Sequence, residues 1–499
     1  MKKKKNKKNN IVQYPVADNN QQEQQQIEAK RPEGVTVVSP LYGSRKIVDR
    51  MVFSVLHQFV SKDSPYKINL VLVSDYIEKP DEYDYYISDE FKQFYDTDFI
   101  EITLIKNEEH KYQGESREIG FLAGKYDYFL LVDCDDMIAP NACDRYLDII
   151  YKSCVDQNTD KIACVYGYLY GFDTNGYEQK IVGESIWVQS RCYNREFIKK
   201  HGIHFPTGTN SRQGEDYPFM RKFDYALAHD KEYIATRVPY NNNEDCQATA
   251  FWFPNRESLS RRDPYYSQHL AGWTMASSNS ILDFFDAYNK EHGFEDEEDE
   301  YMKHEYLNMC IYSFYNLLDF IKTVSMTDYN PVEEDWYALR DNVGKLRSRL
   351  KEKYWDEIVF SDVEDMLFNV KHHSDCHFTE PWFGTFYDYM NKDVLVDSNN
   401  TSIFDMDYDT MIKFAKTLTF DAAGHEIHSK QVVAWADRHG QDLKEMEENI
   451  KKAREEMLKA KKEAEEEANK DNQEIIEDTD GLDIIDDEDE TTYEPIDEK

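Results

Sequence analysis

The sequence has no Cys-x-x-Cys pair, no apolar run near the ~20 residues that a membrane helix needs, and no excess of positive charge. Its eight cysteines are scattered, which favours reduced thiols over a disulfide framework or a zinc site. The basic start MKKKKNKKNN leads into QQEQQQ without an apolar segment, so it is typical of neither a signal peptide nor a membrane span. We therefore expect a soluble, cytoplasmic protein.

Positive charge is scarce, because 59 basic residues face 98 acidic ones and the formal net charge is -39. Such a chain repels the phosphates of duplex nucleic acid and of anionic membranes, so we expect no direct binding to duplex nucleic acid. Divalent cations, by contrast, are attracted. With 499 residues, of which 40% are hydrophobic, the chain is long enough for two or three domains with a sizeable core.

After a low-complexity start, apolar runs and amphipathic segments alternate over about 100 residues. The β-branched runs predict strands, and the run with apolar residues at 3.6-residue spacing from Ile47 to Phe59 predicts a helix. The predicted strands are Val35 to Ser39, Ile68 to Ser74, Phe99 to Ile105 and Tyr128 to Val132, and a second helix is predicted over Ser116 to Ala123. This alternation indicates an α/β domain with a largely parallel sheet, in which ligands bind at the carboxyl ends of the strands.

The pattern of the sequence changes twice more along the chain. Strands are predicted over Lys161 to Tyr170 and Ser185 to Gln189, whereas residues 275–440 are typical of helices rich in Tyr, Phe and Leu. Residues 442–470 carry i,i+4 Glu–Lys pairs and predict a charged helix, either solitary or in a weak coiled coil. Residues 471–499 are typical of a disordered acidic tail.

The segment VDCDD places three carboxylates, Asp133, Asp135 and Asp136, directly after a predicted strand. Closely spaced carboxylates suit a hard cation such as Mg2+ or Mn2+, which would neutralise the diphosphate of a substrate. The alternative is a helix N-cap with spare acids in the turn, and for this motif alone the two interpretations are about equally favoured.

Two further segments carry groups suited to chemistry. In QGEDYPF, Glu215 and Asp216 follow a glycine loop, and a carboxylate there could accept the proton of a hydroxyl nucleophile. In GESREIG, Arg117 could bind phosphate in bidentate fashion. Taken singly, each has a more probable alternative: chance among 98 acids for the pair, and an exposed helix side chain for Arg117.

Two other groups of residues are weaker candidates. In NRESLSRR, Arg256, Ser258 and Ser260 form either a loop over a diphosphate or an ordinary turn. Two histidine-containing groups offer zinc-ligating side chains, although solvated or structural histidines are favoured for both. These groups are His372, His373, Asp375, Cys376 and His377, and the pair His425 and His428.

The order of these segments resembles family-2-type inverting glycosyltransferases of the GT-A fold, over about residues 34–265. The segments that carry the resemblance are VTVVSPLYG, VLVSD, GESREIGFLAGKYDYFLLVDCDD, GIHFPTGTNSRQGED and FWFPNRESLSR. Departures are the absence of a histidine in Phe253-Pro254-Asn255-Arg256 and the replacement of Asp-Gly-Ser by Asp75-Tyr76-Ile77. The resemblance implies a Rossmann-like α/β domain that binds a nucleotide-diphosphate sugar, followed by a mostly helical region.

The resemblance also implies roles for individual residues. Asp216 would be the catalytic base with Glu215 beside it, and Asp135 would be the direct metal ligand, assisted by Asp133 and Asp136. The implied cofactor is Mn2+ or Mg2+. The donor-binding residues would be Pro40, Tyr42, Asp75, Arg117, Asp133, Arg256, Ser258 and Ser260. The implied reaction moves a sugar from the donor, a UDP-sugar first, to a hydroxyl acceptor with inversion.

Together these inferences divide the chain. The expected segments are a disordered start (1–33), a GT-A domain (34–270, with halves 34–137 and 138–270), a helical domain (271–441), the charged helix (442–470) and the acidic tail (471–499). The helical region is a candidate for self-association. Two alternatives stand beside the enzyme: an inactive scaffold that works through its helical and acidic parts, and a nucleotidyltransferase, for which VVSPLYGSRK is a poor triphosphate loop.

Overall fold

The structure is a computed structural model that describes residues 29–58, 66–172, 178–180, 188–208, 214–239, 248–253, 265–294, 298–358, 386, 389, 390, 397, 399 and 401–417. All of these belong to one compact unit, Met1–Thr417. The second unit, Leu418–Lys499, lies outside the described residues, and so do the predicted charged helix, the predicted acidic tail and residues 1–28 of the predicted disordered start.

The described strands form two sheets. They are β1 (Gly34–Leu41), β2 (Lys67–Ser74), β3 (Ile100–Lys106), β4 (Tyr128–Leu131), β5 (Met137–Ile138), β6 (Ile162–Tyr166), β7 (Leu169–Phe172), β8 (Glu178–Lys180), β9 (Arg191–Asn194), β10 (Ile234–Arg237) and β11 (Ala250–Trp252). The larger sheet has the order β10-β6-β9-β4-β1-β2-β3, and the smaller one has the order β5-β11-β7-β8.

The larger sheet is parallel at its centre, as the sequence predicts. β1 pairs in parallel with both β2 and β4, and β2 pairs in parallel with β3. β9 runs antiparallel between β4 and β6, which the sequence pattern did not indicate. β1 and β4 are buried throughout and β2 beyond its first residue, because helices and loops cover both faces of such a sheet. The α/β prediction is confirmed.

Nine helices are described. They are α1 (Arg45–Leu56), α2 (Tyr112–Ala123), α3 (Ala142–Gln157), α4 (Arg195–Lys200), α5 (Asp216–His229), α6 (Tyr266–His292), α7 (Asp299–Met326), α8 (Glu333–Lys353) and α9 (Tyr408–Ala415). The α1 helix begins where the Ser44 hydroxyl accepts a hydrogen bond from the Lys46 amide, and its apolar stripe faces the core. The α2 helix starts four residues before its predicted beginning at Ser116.

Two predicted strands are placed differently. The predicted strand over Lys161 to Tyr170 is two strands, β6 and β7, which belong to different sheets. The chain turns between them at Gly167, where a Cβ atom would lie 2.1 Å from the Tyr146 hydroxyl and 2.3 Å from Thr249 Oγ1. The predicted strand over Ser185 to Gln189 is wrong in its described part, because Val188–Ser190 is a 3-10 turn.

The helical part follows the α/β part, as predicted. Helix α6 packs against α5 and α8, and α7 packs against α8. Trp336 is fully buried among these helices, stacked 6.1 Å from Phe320. Among the described helices, none combines the length and the apolar character that crossing a membrane requires.

Candidate active site

Arg117 lies in the middle of α2 and is only 1% exposed, so the alternative of an exposed helix arginine is wrong. The helix approaches the sheet closely at Gly120, where a Cβ atom would lie 2.3 Å from Val38 Cγ1. Because Gly120 has no side chain, α2 packs closely on β1 and β2, with Val38 and Val73 beneath it. The Arg117 guanidinium is buried there.

Arg117 connects two segments that are far apart in sequence. Its Nη2 donates to Asp133 Oδ1 at 2.5 Å, and its Nη1 donates to Glu215 Oε1. Asp216 also interacts with this guanidinium electrostatically. One cation is therefore shared by three carboxylates, and we call Arg117, Asp133, Glu215 and Asp216 the carboxylate cluster.

The surplus of negative charge shifts the ionisation of the cluster. Burial raises the pKa of Glu215 to about 7, although Arg117 opposes this and Asp216 adds to it. The pKa of Asp216 is also raised, first by burial and then by the negative charge of Asp133, against the pull of Arg117. A carboxylate with a raised pKa is a stronger base than an exposed one, which suits proton abstraction near neutral pH.

Two glutamines complete the environment of Asp133. Gln113 Nε2 donates to Oδ1 at 3.1 Å, and Gln189 Nε2 donates to Oδ2 at 2.7 Å. Sequence reasoning missed both residues. Gln113 was detectable, because it lies four residues before Arg117 and so shares its helix face. Gln189 had no such signal, since it comes from the 3-10 turn 56 residues further along the chain.

Asp136 is part of the scaffold beneath this edge of the sheet. It is 2% exposed, and its Oδ1 accepts a hydrogen bond from the Phe253 amide at 3.0 Å. Burial, together with Asp133 and Asp135, raises its pKa well above the usual range. The alternative of a helix N-cap for this motif is wrong, because the next helix, α3, begins after Asn141.

The carboxylates of Asp133, Asp135 and Asp136 suit a cation that is also bound by the phosphates of a substrate. Both oxygens of Asp133 accept hydrogen bonds, and one oxygen of Asp136 does so as well. Within the described residues, no group of three or more His, Cys, Asp or Glu side chains has the geometry of a metal site. Mg2+ is commonly bound by one or two carboxylates together with phosphates and water. Asp135, which lies between Asp133 and Asp136 in the chain, offers a further carboxylate for that arrangement.

The two acids after the glycine loop are positioned by contacts with α2. Glu118 accepts from the Phe205 amide at 3.1 Å and pairs with His204 at 2.8 Å. A Cβ atom at Gly114 would lie 2.8 Å from the Pro206 carbonyl oxygen and 2.9 Å from Glu215 Cβ. Close packing at Gly114 thus brings Glu215 to Arg117, and Asp216 begins α5 in the next position.

The carboxyl ends of β1 and β2 carry an aromatic group. The Tyr42 ring, which is 47% exposed, lies 5.3 Å from Tyr76 and 6.1 Å from His110. Asp75 accepts hydrogen bonds from the backbone amides of Lys111 and Tyr112, at 2.8 and 2.9 Å. Asp75 therefore holds the loop that enters α2.

The remaining predicted residues divide into two groups. Pro40 is buried within β1, opposite Val73 of β2. Arg256, Ser258 and Ser260 lie outside the described residues, and so do all the histidine-containing zinc candidates. The six described cysteines are free thiols, as predicted; they are Cys134, Cys143, Cys154, Cys164, Cys192 and Cys310.

The chain is similar to one protein family and to several solved structures. Residues 36–212 match the family model described as glycosyl transferase family 2. No curated protein sequence matches the chain. Similar solved structures include S. aureus TarS 1-349 in complex with UDP, at 14% identity and a TM-score of 0.34, covering 70% of this chain and 94% of that one. S. aureus TarS 1-349 in complex with UDP-GlcNAc has 14% identity and a TM-score of 0.35, covering 69% and 94%.

The matched segment contains most of β1 and all of β2 to β4, together with α2, Arg117 and the Asp133–Asp136 motif, and it ends shortly before Glu215. The buried parallel strands and the polar groups at their carboxyl ends are the arrangement by which α/β domains bind ligands. Residues 36–212 therefore carry a glycosyl transferase family 2 domain.

Proposed function

We propose that this chain transfers a sugar from a nucleotide-diphosphate donor, a UDP-sugar first, to a hydroxyl acceptor with inversion at the anomeric carbon. The observation that carries the proposal is the carboxylate cluster. It joins the Asp133–Asp136 motif to Glu215 and Asp216 through one buried arginine. A donor and an acceptor can then meet within reach of one carboxylate base.

The aromatic rings at the carboxyl ends of β1 and β2 support a binding site for the nucleoside. Tyr42 and Tyr76 present rings at the carboxyl ends of β1 and β2, and such rings stack on the flat face of a base. Asp75 would contact the base directly or shape the pocket by holding the Lys111–Tyr112 backbone. Pro40 would hold the strand from which Tyr42 extends.

The proposed reaction is a single displacement. The acceptor oxygen forms a bond to the anomeric carbon while the bond between that carbon and the diphosphate oxygen breaks. Asp216 takes the proton of the acceptor hydroxyl, and the diphosphate leaves with the electron pair. The raised pKa of Asp216 supports this role, because burial makes this carboxylate a stronger base than an exposed one.

Arg117 is proposed to act as a positioning residue. Both of its terminal nitrogens already donate to carboxylates, so it holds Asp133 and Glu215 in place. A divalent cation, Mn2+ or Mg2+, would supply charge neutralisation for the departing diphosphate. We propose that Asp135 holds this cation, with Asp133 beside it and Asp136 supporting the turn.

The test is hydrolysis of UDP-, GDP- and dTDP-sugars by the full chain, with and without Mn2+, together with thermal unfolding in the same mixtures. We expect one donor class to raise the melting temperature and to be hydrolysed, because a bound donor stabilises the folded state. Asp135→Asn should abolish the part of the hydrolysis that depends on Mn2+. Asp283→Asn, on α6, is the matched control and should behave as the unaltered chain does. Absence of binding and hydrolysis with every donor would favour the inactive scaffold.

A further inference from the structure

Three tyrosines form a partly exposed surface next to the carboxylate cluster. Tyr217, in the first turn of α5, is 44% exposed, and Tyr301 and Tyr312, both on α7, are each 39% exposed. We call these three residues the tyrosine platform. Tyr217 follows Asp216 directly in the chain, so the platform begins beside the proposed base.

The α7 members of the platform share one face of their helix. Tyr301, Glu305 and Tyr312 are separated by four and then seven residues, spacings that return to the same side of an α-helix. This face is turned towards α5, because Arg221 Nη2 donates to Glu305 Oε2 at 2.5 Å and to the Tyr301 hydroxyl at 3.3 Å. Through this ion pair the helical part contacts α5, the helix that begins at Asp216.

The same ion pair connects Tyr217 to the α7 face. Arg221 lies four residues after Tyr217 on α5, and the Tyr217 phenol interacts electrostatically with Arg221, Glu305 and Tyr312. Glu305 is only 6% exposed whereas the Arg221 side chain is 31% exposed, so the tyrosines lie beside a partly buried ion pair of opposite charges. The Tyr301 ring is in turn supported by Tyr225, at 5.7 Å between centroids.

This chemistry suits a neutral polyhydroxylated ligand. Tyrosine rings offer apolar faces to the C–H groups of a sugar, while their hydroxyls donate and accept hydrogen bonds. A balanced ion pair does not attract a charged polymer, and the net charge of -39 repels an anionic one. A saccharide is the ligand class that uses both properties of the tyrosines.

We propose that the tyrosine platform binds a saccharide acceptor and presents one of its hydroxyls to Asp216. This inference rests on the proposed function, and it adds the acceptor class and a role for α7. An acceptor seated on Tyr301 and Tyr312 would extend over Tyr217 towards the base. Proximity of this kind converts an encounter in solution into a reaction between held groups.

The experiment uses the full chain and measures binding of maltohexaose, cellohexaose and chitohexaose by calorimetry and saturation-transfer NMR. The variants are Tyr312→Ala, Tyr312→Phe and, as a control with an exposed aromatic ring elsewhere, Phe94→Ala, which is 55% exposed in the unaltered chain. We expect Tyr312→Ala to weaken binding about tenfold, since one ring contact contributes energy of that order. Tyr312→Phe should stay within about threefold, because the ring is kept, and Phe94→Ala should not differ.

The outcomes separate this inference from the proposed function. If the unaltered chain binds none of the three saccharides, or if Tyr312→Ala binds as well as Phe94→Ala, the platform assignment is overturned. Hydrolysis of UDP-sugars by the unaltered chain is measured in parallel. Platform-dependent saccharide binding without any donor hydrolysis would overturn the acceptor role and the proposed function together, while hydrolysis without platform-dependent binding would overturn only the inference made here.

Discussion

Two arginines in this protein are held by carboxylates in different ways. Arg117, in the α/β part, has a side chain that is 2% exposed and donates to Asp133 and Glu215, with Asp216 close by. Arg349, in the helical part, is 13% exposed and donates to Asp283 at 2.6 Å and to Asp286 at 2.9 Å.

The charges around these arginines balance differently. Lys353 lies 2.8 Å from Asp286 and Lys345 lies 3.4 Å from Asp283, so three cations meet two carboxylates around Arg349. Around Arg117, one cation meets three carboxylates. A partly exposed group in which every carboxylate is paired contributes modestly to stability, whereas a buried surplus of negative charge opposes folding and raises the pKa of its acids. The comparison agrees with the catalytic role that we propose for the α/β cluster and with a packing role for the helical one.

The largest expected effect follows from removing the proposed base. Asp216→Asn should lower the rate of sugar transfer or donor hydrolysis by about 10^2- to 10^4-fold, because general-base catalysis contributes that much. Asp283→Asn, beside Arg349 in the helical part, should leave the rate within about twofold. Steady-state kinetics with the donor identified by thermal shift measure both. Equal rates for Asp216→Asn and the unaltered chain would remove Asp216 from the mechanism.

The next largest expected effect is a difference in stability between variants of the two arginines. Arg117→Met should lower the free energy of unfolding by about 3–5 kcal/mol, because it leaves buried carboxylates without their counter-charge. The matched change Arg349→Met should cost only about 1 kcal/mol, since its partners are partly exposed. Urea denaturation followed by circular dichroism gives both values. Similar losses of stability for the two variants would contradict the difference that we infer between Arg117 and Arg349.

A pH dependence of stability should come from Glu215. Its pKa is raised from 4.5 to about 7 in the folded chain, so the folded state keeps a proton that the unfolded state has already lost. The free energy of unfolding should therefore fall, by about 1–3 kcal/mol, as the pH rises from 4.5 to 7. In Glu215→Gln this part of the dependence should be absent. Denaturation curves at several pH values test this, and parallel profiles for the two proteins would refute it.

The smallest expected effect compares two glycines. Gly114→Ala places a Cβ atom 2.8 Å from the Pro206 carbonyl oxygen, so it should cost about 1–2 kcal/mol and displace Glu215. Gly344→Ala, on α8, meets only Phe404 at 3.3 Å and gains helix propensity, so its net effect should be below about 0.5 kcal/mol. Thermal unfolding of both variants measures the difference, and equal melting temperatures would show that α2 has room at Gly114.

The sequence predicted the central strands well, because fully buried parallel strands are continuous apolar runs. It did not indicate the antiparallel insertion of β9, since strand direction depends on pairing and not on local pattern. The change of sheet at Gly167 was missed for the same kind of reason. The sequence pattern of β6 and β7 is that of a single strand. The chain leaves one sheet for the other at Gly167, which packs against Tyr146 and Thr249.

The sequence by itself determined which chemical groups the site contains, because the strands end in the acids of VDCDD and the glycine loop leads to Glu215 and Asp216. Only the tertiary structure decided their partners. Arg117 and Glu215 are 98 residues apart, and Gln189 and Asp133 are 56 apart. A local sequence pattern does not predict contacts between residues so far apart in the chain. The burial of one arginine among three carboxylates, and the pKa values that follow, arise from chain packing.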